Sequence, residues 1–227
     1  MVRELITGIR STLVLWVLTA LIYPFLMVGI GQAFFPNQAN GSLIRNAQGQ
    51  IVGSALIGQP FSSERYFWSR PSTTNYSSFS PEEYDPKNLE NLAQRTGVSG
   101  ASNLAPSNTS LLLQPWYETP ANKDMLERYQ SPDNPDLINL VQERANTLKQ
   151  AGIEPTADLV YTSGSSLDPH ISVEAALAQI QRISKVRGLD PNQVELLINR
   201  YTDGRFLGIF GEPGVNVLKL NLALDSP

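Results

Sequence analysis

Few residues in this chain have the types and spacing that chemistry needs. It holds one histidine, His170, and no cysteine. Disulfides, thiolate metal sites and cysteine nucleophiles are therefore excluded together, and a histidine-based metal centre would need carboxylates to complete it. No metal site is expected. His170 lies in SGSSLDPHIS, residues 163 to 172, where it and Asp168 flank Pro169 just ahead of a predicted helix start at Ser172. Ser163, Asp168, His170 and Ser172 form a candidate polar site at a helix N-terminus, where backbone N–H groups can hold an anion or carboxylate. The reading we favour is plainer: a turn in which Asp168 and Ser172 satisfy the helix's orphan N–H groups and His170 packs or bonds locally.

A second candidate is VSGAS, residues 98 to 102, which faintly matches the nucleotide-contacting L-S-G-G-Q signature. Ser99, Gly100, Ser102 and Asn103 are its candidate nucleotide-binding residues; a loop whose backbone path needs glycine explains the same letters. A third is the run Tyr66, Phe67, Trp68 with Arg70. Such aromatics are most often packing anchors, and only an exposed cluster would make a partner surface. The chain has no G-x-x-x-x-G-K-[ST] loop, G-x-S-x-G elbow or H-E-x-x-H helix, so it is not expected to be an enzyme on its own.

The element that must position all of these is Ser11 to Phe35, which contains no ionisable side chain. At ~1.5 Å per residue its helix reaches roughly 37 Å, enough to cross a hydrocarbon core of about 30 Å. Arg3, Arg10 and the amino terminus precede it, whereas only Arg45 is positive shortly after it. By the positive-inside rule residues 1 to 10 are cytoplasmic, and the body lies outside the membrane. The apolar core is too long for a secretory signal, and QAFFPNQANG holds no small-residue cleavage site. Pro24 is expected to kink the helix, and Gly29, Gly31 and Ala33 offer close approach to a neighbouring helix.

Residues 36 to 50 read as a polar linker, and 51 to 227 as one extracytoplasmic α+β domain with a small sheet and several covering helices. Setting aside Arg3, Glu4 and Arg10, the 17 basic and 21 acidic residues become 15 and 20, a net of −5. That balance argues against nucleic acid as a partner. A first strand is expected over 51 to 58. A short helix is expected over Pro86 to Thr96, then an irregular excursion over about 98 to 134. A longer helix follows from Pro135 to Ala151, capped by Asn134 and stopped by Gly152, with Leu137, Val141, Ala145 and Leu148 on one face. Asp158 to Tyr161 reads as a strand and Ser172 to Arg187 as a helix. Asp190 opens another helix, which carries Val194, Leu197, Ile198 and Tyr201. Leu218 to Leu224 alternates strictly, which predicts a final strand.

Five segments in order, GSALIGQPF (53 to 61), YFWSRPS (66 to 72), SGASNLAPSN (99 to 108), SGSSLDPHIS (163 to 172) and GEPGVNVLKLNLALD (211 to 225), follow a single membrane helix. Together they resemble the C subunit of the Kdp potassium-transporting ATPase over nearly the whole chain. The sequence departs from the family pattern at Ala101, Ala105 and Ser166, commonly Gly, and at Gly214, often Arg. The resemblance implies a non-catalytic subunit of a bacterial inner-membrane K⁺ pump. Its partners would be a channel-like K⁺-selecting subunit and a P-type ATP-hydrolysing subunit. It would stabilise the complex, raise the ATP affinity of the hydrolysing subunit, or both. No cofactor would be bound firmly, with ATP reached only through the complex. The predicted orientation, in contrast, puts Ser99 and His170 on the side of the membrane without ATP. The alternative is a stand-alone anchored binding or envelope protein.

Overall fold

The computed structural model describes residues 1 to 79, 87, 88, 90, 97 to 100 and 135 to 225. The helix expected over Pro86 to Thr96, the Asn134 cap, the side chain of Leu137, the candidates Ser102 and Asn103, and the excursion beyond residue 100 lie outside the described residues.

Val2 to Phe34 forms one helical rod long and apolar enough to cross a membrane. It consists of α1 (Val2–Trp16), a π-helical stretch (Val17–Ile22) and α2 (Tyr23–Phe34), and none of its residues is buried. The π-helical stretch has a local cause. Pro24 has no N–H for the carbonyl four residues back, and its ring crowds that carbonyl, so the turn ahead of it widens. The hydroxyls of Thr7, Ser11 and Thr19 each donate to the carbonyl four residues earlier, at 2.9, 2.9 and 2.8 Å. These three hydroxyls are thus satisfied within the rod, as a lipid environment requires.

The expected linker is already structured. After the short α3 (Pro36–Ala39), β1 (Leu43–Arg45) pairs antiparallel with β2 (Ile51–Ser54). A second sheet has the order β3 (His170–Ser172), β5 (Gly214–Asn216), β4 (Thr202–Asp203), with both pairings antiparallel. Ile171 and Val215 face each other on its buried side, while His170, Ser172 and Gly214 lie on the other. Helices α4 (Pro135–Gln150), α6 (Val173–Leu177), α7 (Ile180–Arg187), α8 (Pro191–Arg200) and α9 (Val217–Asp225) enclose one core. Val141, Ala145, Leu148, Ile183, Val194, Ile198 and Leu220 meet there with Phe67. Helices at Pro135, Ser172 and Asp190 form as expected. The Ser172 hydroxyl accepts from the Ala175 N–H at 3.1 Å, the Asp190 carboxylate accepts from the Asn192 N–H at 2.7 Å, and Gly188 ends α7 at φ +67°.

Two expected strands are helices. Asp158 to Val160 falls in α5 (Ala157–Val160), a single turn that Tyr161 follows in extended conformation. Leu218 to Leu224 belongs to α9, because the alternating leucines overlie a second period: Val217, Leu220, Asn221 and Leu224 recur at helical spacing and face inward. The Asn216 carbonyl oxygen of the side chain accepts from the Lys219 N–H at 3.1 Å, so the chain turns from strand to helix at that cap. The helix predicted from Ser172 to Arg187 is interrupted between α6 and α7 at Gln179, whose side chain is fully buried.

Candidate functional site

The aromatic run is held by side-chain amides and guanidinium groups that take the place of neighbouring strands. Asn221, on α9, accepts from the Phe67 N–H at 2.8 Å and donates to the Phe67 carbonyl at 3.0 Å. Gln179 does the same for Trp68, at 2.8 and 3.2 Å. Arg182 donates to the carbonyls of Glu64 and Tyr66, and Arg187 to that of Arg65 at 2.6 Å. The Arg182 guanidinium lies 4.5 Å above the Trp68 ring; burial pulls its pKa down to about 10. Arg187 stacks 5.0 Å from the Tyr66 ring and pairs with Asp225 at 2.8 Å; the Tyr66 phenol donates to the same carboxylate at 2.7 Å. Each backbone group so paired is a polar group that the core can bury without loss. Phe67, a candidate for a partner surface, is completely buried and serves as a core residue, while Tyr66, Trp68 and Arg70 are partly covered.

A chain of alternating charges runs along the outer side of the second sheet. Arg70 lies 3.1 Å from Asp158 and 3.9 Å from Asp168. Asp158 also accepts the Ser172 backbone N–H at 2.6 Å, and Asp168 that of His170 at 2.9 Å. The His170 ring then bridges two carboxylates: Nδ1 is 3.4 Å from Asp168 and Nε2 is 3.1 Å from Asp203, which is also 3.7 Å from Lys219. His170 reaches β4 across the middle strand because Gly214 has no side chain; a Cβ there would sit 3.1 Å from the His170 Cβ. The Asp168 hydrogen bond raises the His170 pKa; burial opposes it, and Asp203 adds to the rise. Partial burial pushes Asp168 up, but the His170 ring and backbone bonds and the Arg70 charge outweigh it and hold Asp168 below its ordinary value. The carboxylates bind opposite edges of the ring instead of converging on one point, and no group of three metal-ligating residues occurs among the described residues.

The two described residues of the nucleotide candidate bond Ser165 and Ser166, in the loop between Ser163 and Asp168 of the polar candidate. The Ser99 hydroxyl and the Gly100 N–H both donate to the Ser165 carbonyl, at 3.1 Å each. The Gly100 carbonyl accepts from Thr73 at 2.7 Å and from Ser166. Ser166 bonds the Thr73 hydroxyl at 2.8 Å, and its carbonyl accepts from Ser72 at 2.8 Å. Ser163 accepts the Ser166 N–H through its carbonyl and is itself buried. Ser166 holds φ +58°, a backbone conformation that glycine adopts without strain. Gly58 packs into the same junction: a Cβ there would lie 2.4 Å from the Tyr76 ring and 2.8 Å from the Asp168 carbonyl. Burial pushes the Tyr76 phenol up to about 12.

Of the membrane candidates, a Cβ at Gly29 would meet nothing within 4 Å and one at Gly31 would lie 3.9 Å from the Ala39 Cβ, so among the described residues no other element packs against Gly29 and only α3 approaches Gly31. Sequence reasoning missed Asp158, Gln179, Arg182, Arg187, Asp203 and Asn221. The available signal was a polar residue recurring inside an apolar helical face, as Gln179 and Asn221 do.

Residues 5 to 124 and 126 to 226 match the family described as "K+-transporting ATPase, c chain". Among similar proteins, the "Potassium-transporting ATPase KdpC subunit" of Microcystis aeruginosa is 60% identical over 224 residues, covering 99% of this chain and 96% of the relative. The subunit so named in Synechocystis is 51% identical over 226 residues, with all of both chains covered. That of Geobacter sulfurreducens is 40% identical over 226 residues, covering 99% and 98%.

Proposed function

The chain belongs to the family of the c chain of K⁺-transporting ATPases, and from that premise we propose that it is a single-pass accessory subunit whose domain stabilises the assembled pump from the extracytoplasmic side. Its partners in this reading are the channel-like K⁺-selecting subunit and the P-type ATP-hydrolysing subunit. The location is the bacterial inner membrane, with the N-terminus in the cytoplasm. The chain carries no D-K-T-G phosphorylation motif, so hydrolysis belongs to another chain. The observation that carries the reading is the use made of Ser99 and Gly100: their polar groups hold the 163 to 166 loop and the Thr73 turn. This supports a structural lock at that loop. Any gain in the ATP affinity of the pump then arises through the partner's geometry, without a nucleotide on this chain. The charge asymmetry of Arg3 and Arg10 against Arg45 supports the outward orientation.

A pump assembled without this chain is expected to lose at least tenfold of its K⁺-stimulated ATPase activity or to fall apart in detergent. Full activity and a stable complex without it would sink the proposal. Because the chain has no cysteine, Leu196→Cys, at an exposed position of α8, tests orientation cleanly. A membrane-impermeant thiol reagent should label it in intact cells; labelling only after cell breakage would reverse the topology.

A further inference from the structure

Between β4 and β5 the chain makes a tight excursion whose apex is wholly apolar: Phe206, Leu207, Gly208, Ile209, Phe210. The four side chains are 70, 72, 72 and 62% exposed. Large apolar groups clustered this way on a soluble domain mark an interaction site. The excursion is preorganised. Phe206 and Phe210 exchange backbone hydrogen bonds at 2.8 and 2.9 Å, Gly208 donates to Arg205 at 3.0 Å, and Arg205 pairs with Glu212 at 2.8 Å across the base. Leu207 holds φ +53°, a costly conformation for a branched side chain and one that points to function when it persists. Arg205 and Glu212 offset each other's charge and the backbone hydrogen bonds hold the apex in shape, which suits a knob entering a dry pocket at little entropic cost.

The occupant of such a pocket could be protein or bilayer, and the fold favours protein. Ser42, a few residues beyond the membrane helix, accepts the Ala55 N–H at 2.9 Å, and the Ala55 carbonyl accepts from Asn216 at 2.9 Å. The membrane tether therefore reaches the Asn216 end of β5. The apex departs from the opposite, Gly214 end, up to about 20 Å further on at ~3.3 Å per residue. The domain's net charge of −5, obtained by setting Arg3, Glu4 and Arg10 aside, also opposes contact with anionic lipid. We propose that the Phe206 to Phe210 knob docks into an apolar groove on the extramembrane surface of a companion subunit of the same pump.

This rests on the accessory-subunit reading above, and the test separates the two. A photo-crosslinking residue at Leu207, in the full chain assembled with the pump in its native membrane, should form a covalent product with another pump subunit. A product with lipid, with a second copy of this chain, or with nothing would overturn the knob proposal. Phe206→Ser with Phe210→Ser should lower the amount of chain co-purifying with the pump at least tenfold, as truncation of hot-spot aromatics does. Leu196→Ser, equally exposed on α8, should leave it unchanged. If the wild-type chain fails to co-purify, the subunit reading fails. If wild type and double variant co-purify equally, the knob alone fails.

Discussion

Two runs that each carry large aromatic side chains meet opposite fates in this molecule. Tyr66 to Trp68 is pinned along its backbone by Asn221, Gln179, Arg182 and Arg187, and Phe67 is fully buried. Phe206 to Phe210 bonds chiefly to itself and leaves its rings in solvent. Apolar side chains alone do not choose between core and surface. What decides is whether other elements supply partners for the backbone that those side chains would carry inward. The first run has such partners from α7 and α9, and the second closes its own hydrogen bonds and stays outside.

The contrast can be broken by substitution, with effects that should shrink in a definite order. Phe67→Ala removes the anchor itself and should lower stability by about 3–5 kcal/mol in denaturant unfolding of the detergent-solubilised chain. A loss under about 1 kcal/mol would show that Phe67 is not a core anchor. Asn221→Ala and Gln179→Ala each orphan a buried N–H and carbonyl, and each should cost about 2–3 kcal/mol. A smaller cost than for an exposed asparagine would remove the role given to the clamp. Gly58→Ala should cost about 1–3 kcal/mol by overpacking against Tyr76 and the Asp168 carbonyl, read as a lowered Tm.

A pH series isolates the charge chain. The His170 pKa is raised above 6.5 in the folded state, so the stability it contributes is fully present below about pH 6.5 and is lost as pH rises through its folded-state value. Asp168 is shifted down from 3.8, so its contribution is present above about pH 3.8 and is lost on acidification below that. These side chains are a third or more exposed, so the step should stay below about 1 kcal/mol. His170→Gln should flatten the slope above pH 6.5. An unchanged slope would show that His170 is not its source. The smallest effect is expected from Phe206→Ser with Phe210→Ser, which should alter stability by no more than about 0.5 kcal/mol. A large loss of stability would make the exposed run part of the core and erase the contrast.

How far the site was legible follows from the range of the interactions that build it. The Ser172 cap and the stop at Gly188 are local, and both stand where the letters placed them. Asp158 joins the charge chain of His170 because Arg70 lies 3.1 Å from Asp158 and 3.9 Å from Asp168; neither contact leaves a trace in sequence spacing. Leu218 to Leu224 misled because alternation and helical recurrence coincide there. The choice fell to the helix once Asn216 capped it and Val217, Leu220 and Asn221 found the core.

The sequence by itself determined the apolar rod from Ser11 to Phe35, the helices opened at Pro135, Ser172 and Pro191, and the five ordered segments that carry the family. Each depends on composition or on neighbours within a turn or two. Only the tertiary structure decided that Ser99 and Gly100 bond the 163 to 166 loop, that Gln179 and Asn221 act as strand partners, and that one aromatic run is buried and the other exposed. Those outcomes join residues more than a hundred positions apart in places, and chain-distant hydrogen bonds form only where the whole fold has already removed water.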